Sequence, residues 1–163
     1  MKYSLAVAAL SVLLISSTDY SEAQSSAPSI VGVWKITSFV RKEVDSGKTS
    51  MPYGEKPTGY RMHTSGGYVS YLFAASDRKT AAGSMTDADR AQFFNTMTAA
   101  VGTYKIETDN VLFHVDEATN PGFVGQNLTY KFKIDGQKLS MATTIKSATG
   151  GEVEFLSTYE RAE

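Results

Sequence analysis

The chain has 163 residues, 16 basic and 17 acidic side chains and no cysteine, a length suited to one domain around one hydrophobic core. Without cysteine there is no disulfide, thiolate zinc site or thiol nucleophile, and stability must come from packing. Near-neutral charge gives no steering toward nucleic acid or an anionic membrane.

The first 23 residues differ from the rest. Lys2 is their one basic residue, Leu5 to Ile15 is apolar apart from Ser11, and Ser21-Glu22-Ala23 offers small residues around a cut. These three parts predict a secretory signal peptide over 1–23, cleaved after Ala23, with the mature chain secreted or periplasmic. A membrane-spanning helix needs roughly 20 apolar residues, and Ser16-Ser17-Thr18-Asp19 interrupts the run early. No membrane insertion is expected after cleavage. Losing Lys2, Asp19 and Glu22 leaves fifteen charges of each sign in the mature chain.

Residues 24–29 are Ser-rich and contain Pro28, which predicts a flexible N-terminus before a domain over 30–161. From Ile30 onward, β-branched and aromatic residues alternate with polar ones between Gly, Asn and Asp breaks, as in a strand meander. Strands are expected near 31–40, 42–46, 58–64, 67–74, 101–108, 110–117, 126–135, 137–145 and 152–160. Ser65-Gly66-Gly67, Thr108-Asp109-Asn110 and Asp135-Gly136-Gln137 read as tight hairpin turns, because these residues tolerate positive φ. Hairpins make neighbouring strands antiparallel. An up-and-down run of this kind removes its exposed edges by closing, so an all-β barrel is expected, with a two-sheet sandwich as the runner-up.

One segment breaks the β pattern. Thr86-Asp87-Ala88-Asp89 has a cap and first-turn acids, and Phe93, Phe94, Met97 and Val101 recur at helical spacing. The pattern predicts one helix over about 86–100 with its apolar stripe against the barrel. Ala75 to Ser84, small and polar, reads as a mobile loop.

Alternation assigns faces. Leu128, Tyr130, Phe132 and Ile134 oppose Thr129, Lys131 and Lys133 and should point inward; so should Val111, Phe113 and Val115, leaving His114 and Asp116 outside. In 58–64 the apolar Tyr60 and Met62 oppose Arg61 and His63, which places the polar pair on the surface. The inverse assignment would make Arg61 and His63 polar anchors inside the barrel. A buried tyrosine hydroxyl needs a partner, so inward tyrosines mark ligand-facing positions; Tyr71, Tyr104 and Tyr130 are the cavity candidates.

Several segments together resemble the lipocalin-like domain family. They are Gly32-Val33-Trp34-Lys35, Tyr53-Gly54, Pro57-Thr58-Gly59-Tyr60, Gly66-Gly67-Tyr68-Val69-Ser70, Gly102-Thr103-Tyr104, Val111-Leu112-Phe113-His114-Val115-Asp116, Asn120-Pro121-Gly122-Phe123-Val124-Gly125, Ile134-Asp135-Gly136-Gln137-Lys138-Leu139 and the ending Tyr159-Glu160-Arg161. The resemblance spans about residues 30–161. It implies an antiparallel lipocalin-like barrel with Trp34 across the closed end. Many members carry an arginine where Tyr130 stands and a histidine where Phe113 stands. Their replacement by rings implies a more apolar interior and, at Tyr130, a neutral ligand taking one hydrogen bond.

Three functions follow. The first is a carrier of one small hydrophobic or amphipathic molecule, with Arg61, His63, Tyr71, Tyr104, Phe113, Tyr130 and Phe132 as candidate ligand-binding residues. The second is an isomerase or cyclase of specialised metabolism acting on a polyketide- or terpenoid-like substrate in the same cavity, with Tyr130, Tyr104 or His63 as acid or base. The third is an interaction module with a filled core. His114 beside Asp116 reads as a solvated pair on the exterior. Two histidines about 50 residues apart, without cysteine, fit no metal spacing, and no phosphate loop, nucleophile elbow or redox-cofactor fingerprint is present, so neither metal nor cofactor is expected. Asn127-Leu128-Thr129 is a glycosylation sequon only in a eukaryotic secretory pathway.

Overall fold

The computed structural model describes residues 29–78, 83–147 and 150–163. The expected signal peptide over 1–23, residues 24–28 of the expected flexible N-terminus and residues 79–82 of the expected 75–84 loop lie outside the described residues.

Nine strands run in chain order: β1 (Gly32–Glu43), β2 (Thr49–Ser50), β3 (Thr58–His63), β4 (Tyr68–Ala74), β5 (Met97–Glu107), β6 (Asn110–Ala118), β7 (Asn127–Asp135), β8 (Lys138–Lys146) and β9 (Glu152–Arg161). Each long strand is antiparallel to its neighbours, and β9 returns to pair with β1, so eight strands close a barrel. β2 only clips onto the end of β1, through Arg41↔Ser50 and Lys42↔Thr49.

Closure requires β1 to pair on both sides, with β3 from Gly32 to Lys35 and with β9 from Trp34 to Glu43. A bulge between Ile36 and Ser38 leaves Thr37 as the extra residue, bending the strand around the barrel. It also flips the parity. Trp34 and Ile36 point inward before it, Phe39 and Arg41 after it. The expected separate strand over 42–46 is therefore the tail of β1, followed by a turn.

The three predicted hairpin turns close β3–β4, β5–β6 and β7–β8 at one end of the barrel. All three need backbone that L side chains rarely adopt, at Gly67 (φ 81°), Gly136 (φ 58°) and Thr108 (φ 54°), the non-glycine being the costlier. Gly102 is required for another reason: a Cβ there would collide with the His114 carbonyl across the β5–β6 ladder.

The closed end is packed. Trp34 has no exposed surface; its Nε1 donates to the Ile30 carbonyl at 2.7 Å, and the Arg161 guanidinium lies 4.1 Å from its ring centre. Arg161 in turn donates to the Val31 and Ser29 carbonyls at 3.0 and 2.6 Å. The N-terminal segment, β1 and the last residues are thus tied by one aromatic ring and one cation.

The helix α1 (Asp87–Asn95) is shorter than expected. Its start is the predicted capping box: Thr86 Oγ1 accepts from the Asp89 amide and Asp89 accepts from the Thr86 amide. Its end is not at 100, because Met97 to Val101 pair with β4, from Ala74↔Met97 to Ser70↔Val101. Ladder bonds across the barrel outweigh the helical preference of Ala99 and Ala100. The expected apolar stripe against the barrel is absent too: no α1 residue is buried, and Phe94 is 55% exposed.

The inward assignments for β6 and β7 agree with the structure, with His114 and Asp116 exposed. That for β3 is reversed. Arg61 and His63 are buried at 1% and 2% exposure, whereas Tyr60 and Met62 are exposed. Register is the cause: Arg61 sits opposite Trp34 in β1 and opposite Tyr71 in β4, and residues directly opposite share a face. Fixing Trp34 inside carries Arg61 inside with it.

Candidate functional site

At the end opposite the hairpins the barrel opens into a cavity of about 680 Å³, within the range of small-molecule sites. Phe94 of α1, Met97 at the start of β5, Asn120 and Phe123 of the β6–β7 connection, and Lys146 at the end of β8 form its rim. The walls are Phe39 and Arg41 of β1, Tyr53 of the β2–β3 loop, Leu128 of β7, Thr143 of β8 and Phe155 of β9. Deeper lie Arg61, Tyr71, Phe73, Tyr130 and Tyr159.

These deep rings form one cluster. Tyr71 and Phe73, two apart on β4, stack at 4.9 Å with their planes 12° apart. Phe73 reaches Tyr159 at 5.8 Å and Phe39 at 6.2 Å. Arg61 is inserted among them, its Cζ lying 4.9 Å from the Tyr130 ring centre, 5.3 Å from Tyr71 and 5.8 Å from Phe113. Arg61 Nε donates to His63 Nε2 at 2.9 Å, which leaves the histidine proton on Nδ1. Arg61 Nη2 and His63 Nδ1 are buried without a hydrogen-bond partner.

Burial first, and the Arg61 charge second, hold the His63 pKa down at about 2, so His63 is neutral at any physiological pH. The tyrosines move the other way. Burial pushes the Tyr71, Tyr130 and Tyr159 hydroxyls up, and Arg61 offsets part of that rise. All three stay protonated and can donate. The Tyr159 hydroxyl already donates to Ser157 Oγ at 3.0 Å. Tyr130 keeps part of its surface open on the cavity side while its hydroxyl is enclosed by protein.

Of the seven candidate ligand-binding residues, three line the cavity: Arg61, Tyr71 and Tyr130. Phe113 is fully buried beneath them and supports Arg61 from below. His63 and Tyr104 meet edge to face at 4.7 Å nearer the closed end, and the Tyr104 hydroxyl is satisfied by the Thr64 carbonyl at 2.8 Å. Phe132 packs on the buried core rather than on the cavity. The expectation of a more apolar interior, with Arg61 and His63 on the surface, is corrected: β3 supplies both a cation and an imidazole, with the guanidinium against the ring of Tyr130.

Wall residues that sequence reasoning passed over include Phe39, Arg41 and Thr143. The first two were hidden by the β1 bulge, which inverts the alternation after Thr37. Thr143 had a readable signal, since it shares parity with Leu139 and Met141, both buried.

A family model for the lipocalin-like domain matches residues 31–162. No curated protein matches the chain.

Proposed function

Because the chain belongs to the lipocalin-like domain family, we propose that it is a carrier whose barrel holds one small hydrophobic or amphipathic molecule. The observation that carries this reading is the cavity itself: a space of about 680 Å³, open at one end, with aromatic walls and a few polar atoms at depth. Eight-stranded barrels are wide enough to hold one such molecule. A filled-core interaction module would not leave that volume. An apolar fluorescent probe is expected to bind saturably and one-to-one, measured by titration of the native protein.

The isomerase or cyclase reading is less well supported. Its cavity would need a base as well as an acid, and among the described residues the walls include no aspartate or glutamate. The deep tyrosines are held protonated, and His63 is neutral, bonded to Arg61 and below the cavity wall. Among the described lining residues, acids are available and a carboxylate base is not. A carrier needs neither.

Export belongs to the same proposal. It is supported by Lys2, the apolar Leu5 to Ile15 and the Ser21-Glu22-Ala23 site. The mature protein recovered from outside the cytoplasm of its host should have the intact mass of a chain starting at Gln24; retention of Met1 in that material would overturn the assignment.

A further inference from the structure

We propose that the molecule this cavity accepts is headed by a carboxylate, whose charge is met by Arg61. The proposal rests on the cavity-binding reading above and adds the chemistry of the head group.

Arg61 is 1% exposed, and its guanidinium is a cation. A buried cation is ordinarily paired with a carboxylate. Here its Nε is bonded to a neutral imidazole, which accepts a proton but supplies no charge. Nη2 has no partner. The three rings around the guanidinium offset part of the cost through their negative faces, but cation–π contacts do not neutralise an ion.

The rest of the cavity does not supply the missing charge. Among the described residues its charged lining groups are Arg41, Arg61 and Lys146, all cationic. Arg41 is already bridged to Glu43 at 3.1 Å. A second lining atom, Thr143 Oγ1, is also buried without a partner. One unbalanced positive charge at depth, a free N–H and an apolar passage leading to it match one negative charge at the end of an apolar body. A carboxylate fits this charge count, whereas a phosphate dianion would bring a second charge and more oxygens to satisfy than one guanidinium can serve.

His63 is the positioning residue of this arrangement. By accepting the Nε–H it fixes one edge of the guanidinium toward the closed end. Tyr71 and Tyr130 cover Arg61 in the ligand-free barrel, so an arriving head group turns one of these rings aside to reach Nη2, and their hydroxyls become further donors to it.

Decanoate and 1-decanol separate the head group from the chain. Each is titrated at pH 7.5 against a bound neutral probe, N-phenyl-1-naphthylamine, in the wild-type, Arg61→Lys and Arg61→Gln proteins. The wild type should prefer decanoate by about 10- to 100-fold, the yield of hydrogen bonds to a charged group. Arg61→Lys should keep part of that preference. Arg61→Gln should reduce it to near unity. Equal affinity of the wild type for acid and alcohol overturns the proposal yet leaves the cavity reading intact, and so does a preference that survives in Arg61→Gln. Failure of decanol, decanoate and probe alike to bind overturns both. The wild-type ratio decides the matter even where a variant does not fold.

Discussion

Arg61→Met is expected to make the ligand-free barrel more stable, by about 1–3 kcal/mol. Replacing even a buried ion pair by apolar residues of similar volume is often stabilising by about 1–4 kcal/mol, and here the cation lacks the carboxylate that would normally recover its desolvation cost. Methionine is flexible enough to fill the space among Tyr71, Phe113 and Tyr130 and makes favourable contacts with rings. Two losses work against the gain. The cation–π contacts disappear, and His63 Nε2 loses its donor, at a cost of about 1 kcal/mol for a neutral hydrogen bond. Chemical denaturation of the ligand-free proteins measures the balance. A variant destabilised by several kcal/mol would mean that the guanidinium is fully compensated inside the barrel, which removes the reason for an anionic ligand.

The second large effect lies at the other end of the molecule. Trp34→Ala should cost about 3–5 kcal/mol, the range for removing a fully packed large ring. Trp34 has no exposed surface, and its loss also strands the Ile30 carbonyl and takes the stacking surface from Arg161. Trp34→Phe keeps most of the ring packing and gives up the 2.7 Å hydrogen bond, so it should cost about 0.5–1.5 kcal/mol plus a smaller cavity term. Urea denaturation of both variants tests the ranking. An unchanged midpoint for Trp34→Ala would mean that the closed end is not packed on this ring.

The fold was legible because its determinants are local. Gly136 and Thr108-Asp109 set hairpins, and the Leu128-Tyr130-Phe132-Ile134 alternation points β7 inward without reference to any other strand. The helix start was equally local, fixed by the Thr86–Asp89 capping box. Its end was not, because only pairing with β4 turns Met97 to Val101 into strand.

The site was legible in part, and the failure at β3 has a physical reason. In Tyr60-Arg61-Met62-His63 the apolar side chains face out, where Tyr60 and Met62 lie beside Leu72 and Val101, also exposed. Hydrophobicity alone assigns that strand backwards. What decides its face is the register with Trp34, a relation between residues 27 positions apart. Tyr104 illustrates the converse. A buried hydroxyl does need a partner, but a backbone carbonyl at Thr64 supplies it, so the tyrosine belongs to the core.

If the space between these strands is a binding site, narrowing it must weaken binding. Leu128 lines the cavity and keeps part of its surface open, so Leu128→Trp adds side-chain volume at the cavity wall. N-phenyl-1-naphthylamine is titrated into both proteins, with circular dichroism as the control for folding. The wild type should bind one probe saturably with enhanced, blue-shifted emission, and Leu128→Trp should keep the barrel spectrum while binding at least tenfold more weakly. A wild-type barrel that binds no probe, or a folded Leu128→Trp that binds it as tightly as the wild type, would contradict a binding site inside the barrel.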